Sequence, residues 1–148
     1  MSQPAQTLTF EFREGSLPPP SHYEYRIVIR GDGSGEIAMT PDYPDADVPV
    51  WRETFSLPET TAAQLLQDAE AFARSLPAGP DRNPIVGGAT ASLSLAGRGA
   101  TVSAAQQPIA DDERLQRIHA ALRAAVPEAV WAELARRRAR YIETRPGR

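Results

Sequence analysis

The chain contains neither cysteine nor lysine. Without cysteine it has no disulfide framework, no thiol nucleophile and no zinc or iron–sulfur site with cysteine ligands. Without lysine it has no lysine-based Schiff base and no P-loop lysine for phosphate. The 16 basic side chains are therefore all arginine. In a chain rich in alanine this bias is typical of a GC-rich coding sequence, so arginine content alone indicates no function.

Long apolar runs are also missing. No stretch approaches the roughly eighteen apolar residues that cross a bilayer, and the N-terminus lacks the basic segment and apolar core of a signal peptide. We therefore expect a soluble cytoplasmic protein with no membrane partner. A chain of 148 residues is long enough to bury a core without metal or disulfides, so we predict a single domain over residues 1–148.

Positive charge is scarce along most of the chain and concentrated at its end. Residues 134–148 contain six arginines and one glutamate, a net charge of +5. The remaining residues contain ten arginines and eighteen acids, a net charge of −8, which leaves −3 for the whole chain. An acidic body with a basic C-terminal helix end and tail at about 134–148 is thus the main electrostatic feature.

Hydrophobic alternation predicts strands, and an apolar period near 3.6 predicts helices. In chain order these patterns give strands at 7–13, 23–30, 36–40 and 50–57, a helix at 58–76, a hairpin at 90–104 turning at Gly97-Arg98-Gly99, and helix from Asp111 to about Ile142. Pro127 fits either the first turn of a third helix or a kink in the second.

The order of four strands, one helix, two strands and one or two helices predicts an α+β fold. Because the strands come in hairpins, we expect an antiparallel sheet of about six strands with the helices packed on one face. This layout resembles that of small bacterial proteinaceous protease inhibitors of the emfourin type. The resemblance implies an inhibitor-like role in binding another protein.

The segment IVIRGDGSGEIAM, residues 27–39, contains three signatures at once. Arg30-Gly31-Asp32 spells an RGD adhesion tripeptide. Gly31, Gly33 and Gly35 are glycines of the kind that cradle phosphate. Asp32, Ser34 and Glu36 alternate as the oxygen ligands of a calcium loop do. A serine nucleophile elbow needs glycine where this chain has Asp32. A phosphate loop leads into a helix, whereas both flanks here alternate like strands. We therefore interpret the loop from Gly31 to Gly35 as the turn of a β-hairpin.

The acidic, proline-rich loop 41–49 is the candidate metal site. Asp42, Asp45 and Asp47 provide three carboxylates that could surround a hard cation. Aspartate and proline are also common turn formers, so the same residues fit an ordinary loop. A small cation-dependent enzyme that uses this loop is the first alternative function.

The arginine-rich helix end is the candidate partner-binding site. Arg136, Arg137, Arg138 and Arg140 could neutralise phosphates, which makes nucleic-acid binding the second alternative function. Arginines near a helix C-terminus are also favourable because of the helix dipole, and Glu133 is placed to pair with Arg137 at i,i+4.

The sequence contains no combination of residues that favours an enzyme. Its two histidines, His22 and His119, lie beside no nucleophile motif, and Glu53 shares the parity of apolar neighbours, so we expect it to face inward or lie at the rim of the sheet. We therefore predict no catalytic residue and no cofactor. The predicted function is a non-catalytic binding or regulatory module for a protein partner, and the sequence specifies neither that partner nor an oligomeric state.

Overall fold

The structure, a computed structural model, describes residues 6–15, 22–75, 88–97, 101–110 and 112–144, without the side chains of 105–107. Its elements in chain order are β1 (Thr7–Arg13), β2 (Glu24–Arg30), β3 (Ser34–Thr40), β4 (Trp51–Ser56), α1 (Glu59–Ser75), β5 (Thr90–Ala96), β6 (Val102–Pro108), α2 (Glu113–Ala125) and α3 (Glu128–Glu143). The predicted turn residues Arg98 and Gly99, and the end of the basic tail at 145–148, lie outside the described residues.

The strands form one six-stranded sheet in the order β4-β3-β2-β1-β5-β6, and every neighbouring pair is antiparallel. The predicted α+β fold is therefore confirmed. Strands β4 and β5 are separated by three other strands, so the connection that contains α1 has to cross the sheet. Within the described residues, no helix is long and apolar enough to cross a membrane.

Strand alternation builds the core on one face of the sheet. Phe10 of the central strand β1 lies opposite Ile27 of β2 and Leu93 of β5, and all three side chains are buried. Burying one such side chain contributes roughly 2 kcal/mol. Helix α1, which the sequence predicted at 58–76, packs on this face through its buried residues Ala62, Leu65, Leu66, Ala69, Phe72 and Ala73.

The glycine-rich segment is the β2–β3 hairpin turn, as predicted. Gly33 has a φ of +95°, and a Cβ there would lie 2.3 Å from the carbonyl oxygen of Leu57. The carboxylate of Asp32 accepts hydrogen bonds from the backbone N–H of Ser34 at 2.9 Å and from its hydroxyl at 2.7 Å. The aspartate and serine therefore stabilise the turn locally.

The helical C-terminal part is two helices rather than one kinked helix. Asp112 caps α2 by accepting hydrogen bonds from the backbone N–H groups of Arg114 and Leu115. Val126 is the C-cap of α2 and has an extended conformation, and Pro127 is the N-cap of α3, directly before its first turn. The extended backbone at the residue before proline is the expected steric consequence of the proline ring.

Candidate functional site

All four tyrosines and both tryptophans of the chain lie at one end of the sheet. This end is where β2 begins and where the β3–β4 loop leaves and returns, because Tyr25, Met39 and Trp51 are neighbours across three strands. We call it the aromatic end and define it by six aromatic residues and two arginines: Tyr23, Tyr25, Tyr43, Trp51, Trp131, Tyr141, Arg123 and Arg138.

Tyr25 is the buried centre of the aromatic end. It is 3% exposed, and its ring is stacked on Phe12 with 4.6 Å between centroids. Its hydroxyl lies 2.5 Å from Nε2 of His119 and accepts a hydrogen bond from Nη1 of Arg123 at 3.3 Å. Since the arginine occupies an acceptor position on the hydroxyl, the tyrosine proton is directed at the histidine nitrogen.

The pKa values of Tyr25 and His119 both lie far from neutral pH. Burial, and then the charge of Arg123, lowers the pKa of His119 to about 4. Burial raises the pKa of Tyr25 to about 12, against the opposing effect of Arg123. Both groups are therefore neutral at pH 7, whereas a general base for work at that pH needs a pKa close to it. The hydrogen bond between Tyr25 and His119 therefore fits a structural role.

Trp131 connects α2 and α3 to the sheet. Its ring meets that of Tyr25 edge-on at 5.3 Å, and its Nε1 donates to the carbonyl oxygen of Arg123 at 2.9 Å. The guanidinium of Arg123 lies 4.4 Å above the same indole ring. A cation over the face of tryptophan is the most favourable type of cation–π contact, so Trp131 fixes this arginine in place.

The second arginine of the aromatic end lies over a tyrosine. The guanidinium of Arg138 is 4.6 Å from the ring centroid of Tyr23. Burial and then the charge of Glu14 raise the pKa of Tyr23, while Arg123 and Arg138 act in the opposite direction. Further along α3, Tyr141 meets Trp51 edge-on at 6.2 Å. Tyr23, Trp51 and Tyr141 thus support α3 on the sheet while remaining partly exposed to solvent.

Tyr43 is presented by the β3–β4 loop and is 41% exposed. Its ring is stacked face to face on His22 at 3.7 Å. His22 is 3% exposed, and its two ring nitrogens lie 3.0 Å from the carbonyl oxygen of Gly15 and 2.8 Å from Oε2 of Glu24. The exposed tyrosine is therefore supported from below by a buried and fully hydrogen-bonded ring.

The three aspartates predicted as cation ligands have different positions in this loop. Asp42 is 5% exposed and accepts from the backbone N–H of Tyr43 at 2.7 Å. Asp45 is exposed and accepts from the backbone N–H of Ala46 at 2.6 Å, and Asp47 is exposed. Across the described ranges, no three acidic or histidine side chains are grouped so that they could hold a metal ion. Asp42 and Asp45 thus stabilise the loop itself.

Three of the four arginines predicted to bind a partner make contacts within the chain. Arg136 and Arg137 both bond to Glu133, and Nη2 of Arg137 also lies 3.1 Å from Oε2 of Glu53. These hydrogen bonds from Arg136 and Arg137 lower the pKa of Glu133. The expected i,i+4 pair is confirmed, and Glu53 has the rim position that its parity suggested.

The other two predicted arginines differ from each other. Arg138 lies over Tyr23 in the aromatic end, as described above. Arg140 is exposed on α3, and no ion pair joins it to another of the described residues. Arg137 and Arg138 thus attach α3 to the sheet, whereas Arg136 pairs within the helix.

Sequence reasoning missed the aromatic end as a unit. Strand alternation places Tyr23, Tyr25 and Trp51 on apolar faces. Helical spacing places Trp131 and Tyr141 among the apolar residues of the last helix, near its arginines. The signal that could have pointed to it is the position of these residues along the chain, because every tyrosine and tryptophan lies in or near a loop or on the last helix.

No protein-family model matches this chain, and no curated protein is significantly similar to it. The function of the protein is therefore inferred below from the geometry of the aromatic end.

Proposed function

We propose that the protein is a non-catalytic binding module that recognises a protein partner through its aromatic end. The observation that carries this proposal is the position of the two large apolar side chains that are exposed among the described residues. They are Tyr43, 41% exposed, and Val50, 48% exposed, and both belong to the β3–β4 loop. Tyrosine, tryptophan and arginine are the residues most enriched at the centres of protein interfaces.

The loop is preorganised for binding, which supports the proposal. Tyr43 rests on the ring of His22, and the backbone around it is held by the buried carboxylate of Asp42. A side chain that is already ordered loses little conformational entropy on binding, and tyrosine has only two side-chain torsions to fix. Tyr43 is therefore suited to act as a rigid anchor.

The charge of the loop indicates what kind of partner surface fits it. Asp45 and Asp47 are exposed between Tyr43 and Val50. A complementary surface has an apolar pocket for the tyrosine ring and basic side chains around it. In an inhibitor-like role, this loop would enter a cleft of the partner.

The neutral Tyr25–His119 pair and the use of Asp42 and Asp45 within their own loop favour binding over catalysis. The two alternative functions stay predictions with separate tests. If the protein is a cation-dependent enzyme, titration with calcium, magnesium or manganese should give a heat of binding in a calorimeter. Nucleic-acid binding requires a gel shift that weakens steeply as salt rises.

Affinity purification with matched variants tests the proposal. The test variant combines Tyr43→Ala with Val50→Thr. The control is Val28→Thr, which makes the same valine change on the face of β2 that points away from the core. We expect wild type and control to retain one protein in stoichiometric amount after nuclease treatment. The double variant should bind that protein at least about thirtyfold more weakly, because truncating an interface anchor costs about 2 kcal/mol or more. Equal retention by all three proteins would contradict the proposal.

A further inference from the structure

A groove between α1 and α2 is separate from the residues of the aromatic end. Its volume is about 330 Å³, and Leu65, Phe72 and Ile118 form its apolar floor. These three side chains are among the buried residues of the core, so they hold fixed positions. The volume lies at the lower end of the range for pockets that bind small molecules. The groove is thus large enough for one small ligand.

The rim of this groove carries an excess of positive charge. Arg114 and Arg117 project from α2, and Asp68 is the acidic residue among the lining side chains. Asp68 accepts a hydrogen bond from Nε2 of Gln64 at 2.8 Å. Arg117 is exposed, and no ion pair or hydrogen bond joins it to another described residue. Its guanidinium is therefore available to a ligand anion beside an apolar floor.

Arg114 limits the length of a ligand. Its Nη1 donates to the hydroxyl of Ser75 at 2.5 Å, and its guanidinium lies 5.2 Å above the ring of Phe72. This side chain therefore bridges from the start of α2 to the end of α1 and closes one end of the groove. A partner helix lying along the groove would have to pass over this bridge, whereas a short molecule fits beside it.

We propose that this groove binds a medium-chain carboxylate. The alkyl chain lies on the floor of Leu65, Phe72 and Ile118, and the carboxylate pairs with Arg117. The lining positions span seven residue-to-residue steps along each helix, from 65 to 72 and from 114 to 121. At about 1.5 Å per residue the groove is roughly 10 Å long, which matches an extended chain of about eight carbons. The planar guanidinium fork of arginine suits a carboxylate in particular.

Amide chemical shifts of the full chain, titrated with octanoate, test this proposal. We expect saturable shifts at Ala71 and Ala121, whose side chains line the groove. Octanol, which has the same chain but no charge, should bind about tenfold more weakly or worse, since a charge-assisted hydrogen bond is lost.

Three variants complete the test. Arg117→Gln should weaken octanoate binding about tenfold, while Arg136→Gln removes an equal charge from α3 and should leave the binding unchanged. Ala121→Leu, at an exposed helix position, should block the groove and abolish the shifts without unfolding the protein. Absence of saturable shifts at about 10 mM octanoate, equal binding of octanol, or unchanged binding by Arg117→Gln would each overturn the proposal.

Discussion

His119 should make the stability of the folded protein depend on pH in a defined window. The ordinary pKa of histidine is 6.5, and burial next to Arg123 lowers that of His119 to about 4. Between these values the unfolded chain binds a proton that the folded protein does not. The stability that is present above the unfolded pKa is therefore lost as the pH falls from 6.5 toward 4. Protonation also places a hydrogen on the ring nitrogen that accepts the hydrogen bond of Tyr25, so this hydrogen bond is lost.

The size of the effect follows from the same two pKa values. If the whole difference between the folded and unfolded pKa values applied, the free energy of unfolding would fall by about 1.8 kcal/mol between about pH 7 and about pH 5. His119 is only half-buried, so solvent screening reduces the expected loss to about 1 kcal/mol. Most carboxylates remain ionised at about pH 5, which keeps acid unfolding from dominating the measurement.

Urea unfolding at the two pH values measures this loss, and His119→Gln provides the reference. The glutamine amide can accept from the hydroxyl of Tyr25 but does not titrate. Contributions from other groups are common to both proteins and cancel in the difference. We expect wild type to lose about 1 kcal/mol more than the variant between about pH 7 and about pH 5. Equal losses in the two proteins would show that His119 is not held in its neutral form by the fold.

Two further predictions concern the turn and the last helix. Gly33→Ala should cost about 2 kcal/mol or more in urea unfolding, because alanine is strained at positive φ and its Cβ would meet a backbone oxygen. Gly31→Ala in the same turn, where φ is not positive, should change stability much less, and an equal cost at both positions would contradict this reasoning. Leu134→Ala should cost about 3 kcal/mol, because Leu134 is the fully buried side chain of α3. A cost below about 1 kcal/mol would mean that α3 does not pack on the sheet as described.

Local patterns were sufficient to predict the elements but not their arrangement in the sheet. Alternation in β1 and β2 predicted which side chains are buried, since successive residues of a strand point to opposite faces. The position of β1 between β2 and β5 was not predictable, because pairing of distant strands depends on the packing of the whole sheet. The same holds for the contact of Tyr25 with His119, which are 94 residues apart in sequence.

The candidate site, too, could be predicted only in part from the sequence. The sequence identified the acidic loop, and both large apolar side chains that are exposed within the described residues, Tyr43 and Val50, belong to or border it. It did not show that Asp42 is buried at the base of that loop, because aspartate is usually exposed and its burial here depends on the packing at the end of the sheet. Nor did it show that Arg138 lies over Tyr23, a contact that joins the last helix to the second strand.

The sequence by itself determined the fold class, the hairpin turn at Gly33 and the amphipathic faces of the strands and helices. These features follow from side-chain periodicity and from backbone conformations that glycine and proline favour, and both act over a few residues. Only the tertiary structure decided that the tyrosines and tryptophans meet at one end of the sheet. It also decided that the helix arginines are largely paired within the chain and that a groove opens between α1 and α2. Such features depend on strand order, register and helix placement, which are set by contacts between residues far apart in the chain.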